Sequence, residues 1–168
     1  MHDFALKTEE LIYIKQFKIP DAHRKEVEWH VLEWLKLGVI QPSCSRYNSP
    51  IFAVMKKNGT VRLMQDFRAL NNESYTNKYS MKDVSECIGE IGRSGSNNFT
   101  MIHLTAGFWI IILHPKARPY TAFTVPSMRQ FQWITSPMGL LGCTANIQRL
   151  LETVVYGISN VILYIDDF

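Results

Sequence analysis

The 168-residue sequence is poor in cysteine, in long apolar runs and in charge of one sign, and each shortage removes a class of function. Its three cysteines, Cys44, Cys87 and Cys143, are odd in number and far apart. That spacing fits neither a disulfide framework nor a Cys-type zinc site, so reduced thiols in an intracellular protein, cytoplasmic or nuclear, are expected. The opening residues, MHDFALKTEE, lack the apolar core of a secretory signal. The longest apolar run, Phe108 to Leu113, is far below the roughly 20 residues of a bilayer span, so no membrane partner is expected. Lys and Arg number 18 against 15 Asp and Glu, leaving a net charge of +3 and a pI near 8.8. Such mild basicity is compatible with a phosphate-rich partner without demanding one. There is no internal repeat and no low-complexity linker.

What is present suits one packed unit, with 46% hydrophobic and 20% charged residues. Residues 1–18 read as an N-terminal arm or edge strand, and 19–168 as one α+β domain. Asp21 is a plausible N-cap for AHRKEVEWHVLEWLKLG, where Val27, Val31, Trp34 and Leu35 form one helical stripe and Gly38 supplies the stop. QPSCSRYNSP reads as a loop. Ile51–Met55 and Val61–Gln65 read as strands joined by Lys57-Asn58-Gly59-Thr60, whose Asn-Gly pair signals a tight hairpin. Val84, Cys87, Ile88 and Ile91 make a second amphipathic helix within MKDVSECIGEIG. Strands are expected at Phe99–Leu104, Phe108–Leu113, Tyr120–Thr124, Arg129–Ile134 and Val161–Ile165, with a helix over Cys143–Tyr156.

The feature richest in chemistry is VILYIDDF. An apolar strand ending in Asp166 and Asp167 sets two carboxylates where the chain turns and water reaches. Mg²⁺ favours carboxylate oxygens on a rigid support, alongside waters and substrate phosphates. Two such ions about 4 Å apart activate an attacking oxygen and stabilise a leaving one in phosphoryl transfer. An isolated Asp-Asp pair more often just closes a strand. Other blocks change the balance: GVIQPSCSRYNSPIFAVMKKNGTVRLMQDFRALNN, FTMIHLTAGFWIIILHPKARPYTAFTVPSMRQFQWITSPMG and LLGCTANIQRLLETVV precede it, in that order. Together these blocks resemble the reverse transcriptases of gypsy-like LTR retrotransposons from about Ile19 to Phe168.

The resemblance implies a right-hand polymerase fold, fingers and part of the palm with an antiparallel palm sheet. It also implies Mg²⁺ as cofactor, and a template-primer of RNA or DNA and dNTPs as partners, within a longer polyprotein. Tyr164-Ile165-Asp166-Asp167 matches the family's Tyr-x-Asp-Asp, with Asp166 the main metal ligand and Asp167 a supporting one. Lys56 (or Lys57) and Arg62 match fingers cations that contact the triphosphate, where positive charge offsets the charge of the transition state. Without the family, the lysines read as a solvated turn. Asp66, Phe67 and Arg68 match a block near the template. Phe108 matches the bulky residue under the sugar, which excludes a 2′-hydroxyl; on pattern alone it is a core aromatic. Met138-Gly139 match a block beside the nucleotide and template, and Gln148 and Arg149 a helix that contacts template or only packs.

Two departures stand out. In FTMIHLTAGFW, His103 occupies the place of the family's first catalytic Asp. A neutral imidazole carries no negative charge and suits zinc-like or later transition metals, and a protonated one repels cations. Loss of a bridging carboxylate is expected to cost roughly three or more decades in rate. Ile110, Thr144, Asn146 and Ile147 also replace residues usual in the family. The second departure is the ending: the chain stops one residue past the Asp pair, so the returning strand and the thumb are expected to be absent, with VILYI an exposed, poorly soluble edge. The sequence therefore reads as an impaired RNA-directed DNA polymerase. The alternatives are a non-catalytic nucleic-acid-binding or interaction remnant, or a product without a role.

Overall fold

The computed structural model describes residues 1–57, 59–75 and 79–168. Helix α1 (Asp21–Lys36) buries Val27 and Val31 against the sheets. Pro20, not Asp21, stands at its N-cap; the Asp21 carboxylate instead pairs with Arg24 at 2.6 Å within the first turn. Gly38, at φ 69°, carries the left-handed geometry that ends the helical segment.

Strand β1 (Ile40–Pro42) runs into the start of the passage read as a loop. Strands β2 (Ile51–Met55) and β3 (Val61–Gln65) form the expected hairpin, with Met55 opposite Val61 and Ile51 opposite Gln65. Asn58 of the Asn-Gly turn lies outside the described residues. The two-residue period of β3 turns Val61 and Leu63 inward and leaves Arg62 exposed. The α1 side chains close the hairpin's inner edge: Glu26 accepts from the Val61 amide at 2.8 Å, and His30 meets the Val61 carbonyl at 3.1 Å.

Beyond it come α2 (Arg68–Asn72), a short helix the sequence did not signal, and α3 (Val84–Arg93). A capping box starts α3: Asp83 accepts from the Ser85 amide at 3.0 Å while Glu86 reaches back to the Asp83 amide. Strands β4 (Phe123–Thr124) and β5 (Gln130–Trp133) join β1 in an antiparallel sheet ordered β1-β5-β4. Helix α4 (Cys143–Val155) completes the α+β chain.

Several expected strands are absent, for want of a backbone partner along their length. Within 99–104, Ile102 and Leu104 donate to the Phe168 and Asp166 carbonyls, and only His103 forms a bridge. Over 108–113, a left-handed Ala106 (φ 56°) leads into a 3-10 turn, Gly107–Ile110, before Leu113 reaches the Ile134 carbonyl. A second 3-10 turn, Arg118–Thr121, takes the start of the 120–124 strand. Val161–Ile165 is not a strand either; Leu163 is buried and Val161 is exposed. The arm pairs through single bridges, at His2, Leu6 and Tyr13.

The main core gathers α1, both sheets and Leu140 and Cys143. A smaller cluster of Ile111, Ile147, Leu151 and Leu163 lies under the Asp166-Asp167 turn, with Phe108 packing against both. Burial pushes the Cys143 thiol up to about 11, whereas Cys44 is exposed. Alkylation of the native protein at pH 8 is therefore expected to label Cys44 alone, and all three thiols after denaturation. Native labelling at Cys143, followed by peptide mass spectrometry, would mean that the start of α4 opens.

Candidate active site

Tyr164 and Asp167 exchange backbone hydrogen bonds of 2.9 and 3.0 Å, closing a tight turn with Ile165 and Asp166 at its tip. Ile165 has φ 59°, the sign that primed hairpin turns require at their first central position. A β-branched side chain there costs roughly 1–3 kcal/mol, so surrounding contacts must hold it. The chain past the turn is tied to residues 102–104 through the Asp166 and Phe168 carbonyls, which sets His103 opposite Asp167.

The His103 Nδ1 lies 2.9 Å from Asp167 Oδ1, with both side chains about half exposed. One ligand atom each from His103, Asp166 and Asp167 lies within 4.8 Å of the others, so the structure brings together the three residues the sequence singled out. Gly107 lets the 3-10 turn approach them: a Cβ there would sit 3.1 Å from Ile147 Cδ1 and 3.5 Å from Asp166 Cβ. The donor set does not suit a pair of Mg²⁺ ions. It offers two carboxylates and an imidazole nitrogen, and the imidazole already engages one Asp167 oxygen.

The remaining sequence candidates lie on other elements. Lys56 follows β2 and Arg62 lies on β3, both exposed on the hairpin. Asp66 and Arg68 pair with each other through Nε–Oδ1 at 2.9 Å and Nη2–Oδ2 at 2.7 Å. The Arg68 guanidinium holds the Asp66 carboxyl below its usual range. They line a cleft of about 410 Å³ that also takes in Phe52, Asn71 and Gly139. Asn71 braces its far wall, donating to the Gly139 carbonyl and accepting from the Leu141 amide, each at 2.8 Å. Met138, next to Gly139, is exposed. Phe108 is half-buried between the two hydrophobic clusters.

Gln148 is 2% exposed, with both ends of its amide engaged inside the chain. Its neighbours Tyr79 and Glu152 had not been marked by the sequence, although Gln148 and Glu152 share a helix face at i, i+4. Glu152 accepts from Gln148 at 2.8 Å and from the Tyr79 hydroxyl, and the Arg149 guanidinium sits 5.0 Å over the Tyr79 ring. Hydrogen bonds from Tyr79 and then Gln148 hold the Glu152 carboxyl below its ordinary 4.5. These bonds contribute fully above that pH and are lost as the pH falls through the depressed value.

No protein-family model matches the sequence. The Pol polyprotein of the Drosophila melanogaster transposon opus, a retrovirus-related protein, is 34% identical over 158 residues, covering 91% of this chain and 16% of the relative. The prototype foamy virus protease-reverse transcriptase superposes with a TM-score of 0.86 over 99% of this chain and 22% of that one, at 25% identity. A foamy virus enzyme solved with an RNA/DNA hybrid gives a TM-score of 0.84 over 99% of this chain and 22% of that one, at 23% identity. The chain thus spans about a sixth of the curated relative's length. Among the described residues, no helix is long and apolar enough to cross a membrane. The chain is homologous to a segment of retrovirus-related Pol polyproteins and has the α+β fold of a reverse transcriptase's fingers and palm.

Proposed function

We propose that the chain is the fingers-and-palm portion of an RNA-directed DNA polymerase from a gypsy-like LTR retrotransposon, within a longer Pol polyprotein. Its ancestral reaction adds dNTPs to a primer 3′-hydroxyl under the direction of an RNA or DNA template. The observation that carries this reading is the convergence of His103, Asp166 and Asp167 at one turn. In this reading Lys56 and Arg62 contact the triphosphate, Phe108 and Met138 flank the nucleotide, and Asp66, Arg68 and Arg149 lie toward the template. Gln148 belongs with the turn instead, because its amide is already engaged there.

His103 leaves this copy without efficient Mg²⁺-dependent catalysis, since it supplies an imidazole nitrogen where the two-metal reaction needs a bridging carboxylate. Primer extension on RNA and DNA templates in Mg²⁺ is expected to stay at background. Robust incorporation in Mg²⁺ would refute the impairment.

The exposed hairpin cations favour a second reading, a nucleic-acid-binding remnant that keeps the fold without the chemistry. Duplex binding that weakens steeply between about 50 and 200 mM salt, without incorporation, is its signature. Binding that ignores salt would dismiss it.

A further inference from the structure

The Tyr164–Asp167 turn needs an external brace, because its own hydrogen bonds use only the Tyr164 and Asp167 backbone. The amide of Ile165, the residue with the unfavourable φ of 59°, is not part of that exchange. It donates instead to Gln148 Oε1 at 2.6 Å, across 17 residues of sequence. Gln148 is itself fixed. It is 2% exposed, it sits on α4 beside the fully buried Ile147, and its Nε2 donates to Glu152 Oε1 at 2.8 Å. Glu152 is held in turn by the Tyr79 hydroxyl. An amide suits this place because it accepts at one end and donates at the other. A carboxylate would accept from Ile165 but face Glu152 with like charge.

We infer that Gln148 is a positioning residue: it pins the strained Ile165 backbone to α4 and so fixes where Asp166 and Asp167 stand relative to His103. The inference rests on the proposed function only in taking this turn as the site of chemistry. It assigns Gln148 to the turn, not to the template.

The test uses the full chain without metal or nucleotide, so it stands whether or not the chain polymerises. Gln148→Leu removes the acceptor at similar size. Gln148→Glu keeps the acceptor but opposes Glu152, and adding Glu152→Gln restores an accepting and donating pair in reversed order. Two NMR signals are read: hydrogen exchange at the Ile165 amide, with Phe131 of β5 as internal reference, and the His103 ring nitrogen shift, which reports its contact with Asp167.

In Gln148→Leu the Ile165 amide is expected to exchange at least tenfold faster while Phe131 stays within twofold. The His103 nitrogen should move toward the shift of a solvated imidazole. The reversed pair should return both signals to the parent values. If Gln148→Leu does not fold, Gln148→Glu compared with the reversed pair is judged by the same signals. Exchange that rises equally at Ile165 and Phe131, an unchanged His103 signal, or a reversed pair that restores neither would overturn the inference and leave Gln148 as a packing residue.

Discussion

His103→Asp is expected to raise the affinity of the turn for Mn²⁺ at least tenfold, read by electron paramagnetic resonance titration. The substitution replaces a ring nitrogen with a third carboxylate and frees the Asp167 oxygen that His103 now engages at 2.9 Å. Unit charges about 4 Å apart interact by about 4 kcal/mol at an effective dielectric of 20, and the ion carries two charges. Tenfold corresponds to about 1.4 kcal/mol, which leaves a wide margin for dehydration of the added carboxylate. An affinity within twofold of the parent would mean that the three side chains do not converge on one ion. The reciprocal change carries the larger effect. Histidine placed at the aligned position of an active, full-length Pol relative is expected to lower Mg²⁺-dependent primer extension by roughly three decades, through loss of a bridging ligand. A loss of less than tenfold would show that this position tolerates an imidazole, and that His103 is no impairment.

Phe123→Ala should destabilise the chain by roughly 3–5 kcal/mol, the range for truncating a fully buried aromatic. Phe123 is 0% exposed and faces Phe131 at 5.9 Å, Trp133 at 6.2 Å and Trp34 at 6.3 Å between ring centroids. These partners come from β5 and α1, so the vacancy would open where helix and sheet meet and could not be filled by one side chain turning. For a chain of this size the melting midpoint should fall by about 10 °C. A drop below about 3 °C would indicate a core loose enough to collapse into the gap. Activity cannot mask the result, because no candidate site residue contacts the Phe123 ring directly among these pairs.

The elements that sequence revealed are those whose pattern is local. The α1 stripe of Val27 and Val31, and the Asn-Gly signal between Ile51–Met55 and Val61–Gln65, each encode their partner within a few residues. Strand β1 was hidden because its partner is β5, with Gln41 opposite Gln132, and a three-residue strand ending in proline gives no period to read. The segments 99–104 and 161–165 carry the right residues for strands, but residues 102–104 meet 166–168 instead, at a few backbone positions such as His103 with Asp167. Composition records burial, as Leu163 illustrates, but not whether a neighbour runs alongside. At the site, the order of the blocks pointed to Asp166, Asp167 and His103 before any geometry. The role of Gln148 was not legible, because a glutamine on a helix looks the same whether water or a strained turn lies across from it.

The buried His2 of the N-terminal arm bears on how the chain acquires its shape during synthesis. His2 is 2% exposed and its Nδ1 meets Ser136 Oγ at 2.8 Å, a hydrogen bond spanning 134 residues of sequence. A ribosome adding about 5–20 residues per second needs on the order of ten seconds to pass from one partner to the other. Throughout that interval the Ser136 partner of His2 does not exist. His2 is therefore made well before the residue that holds it.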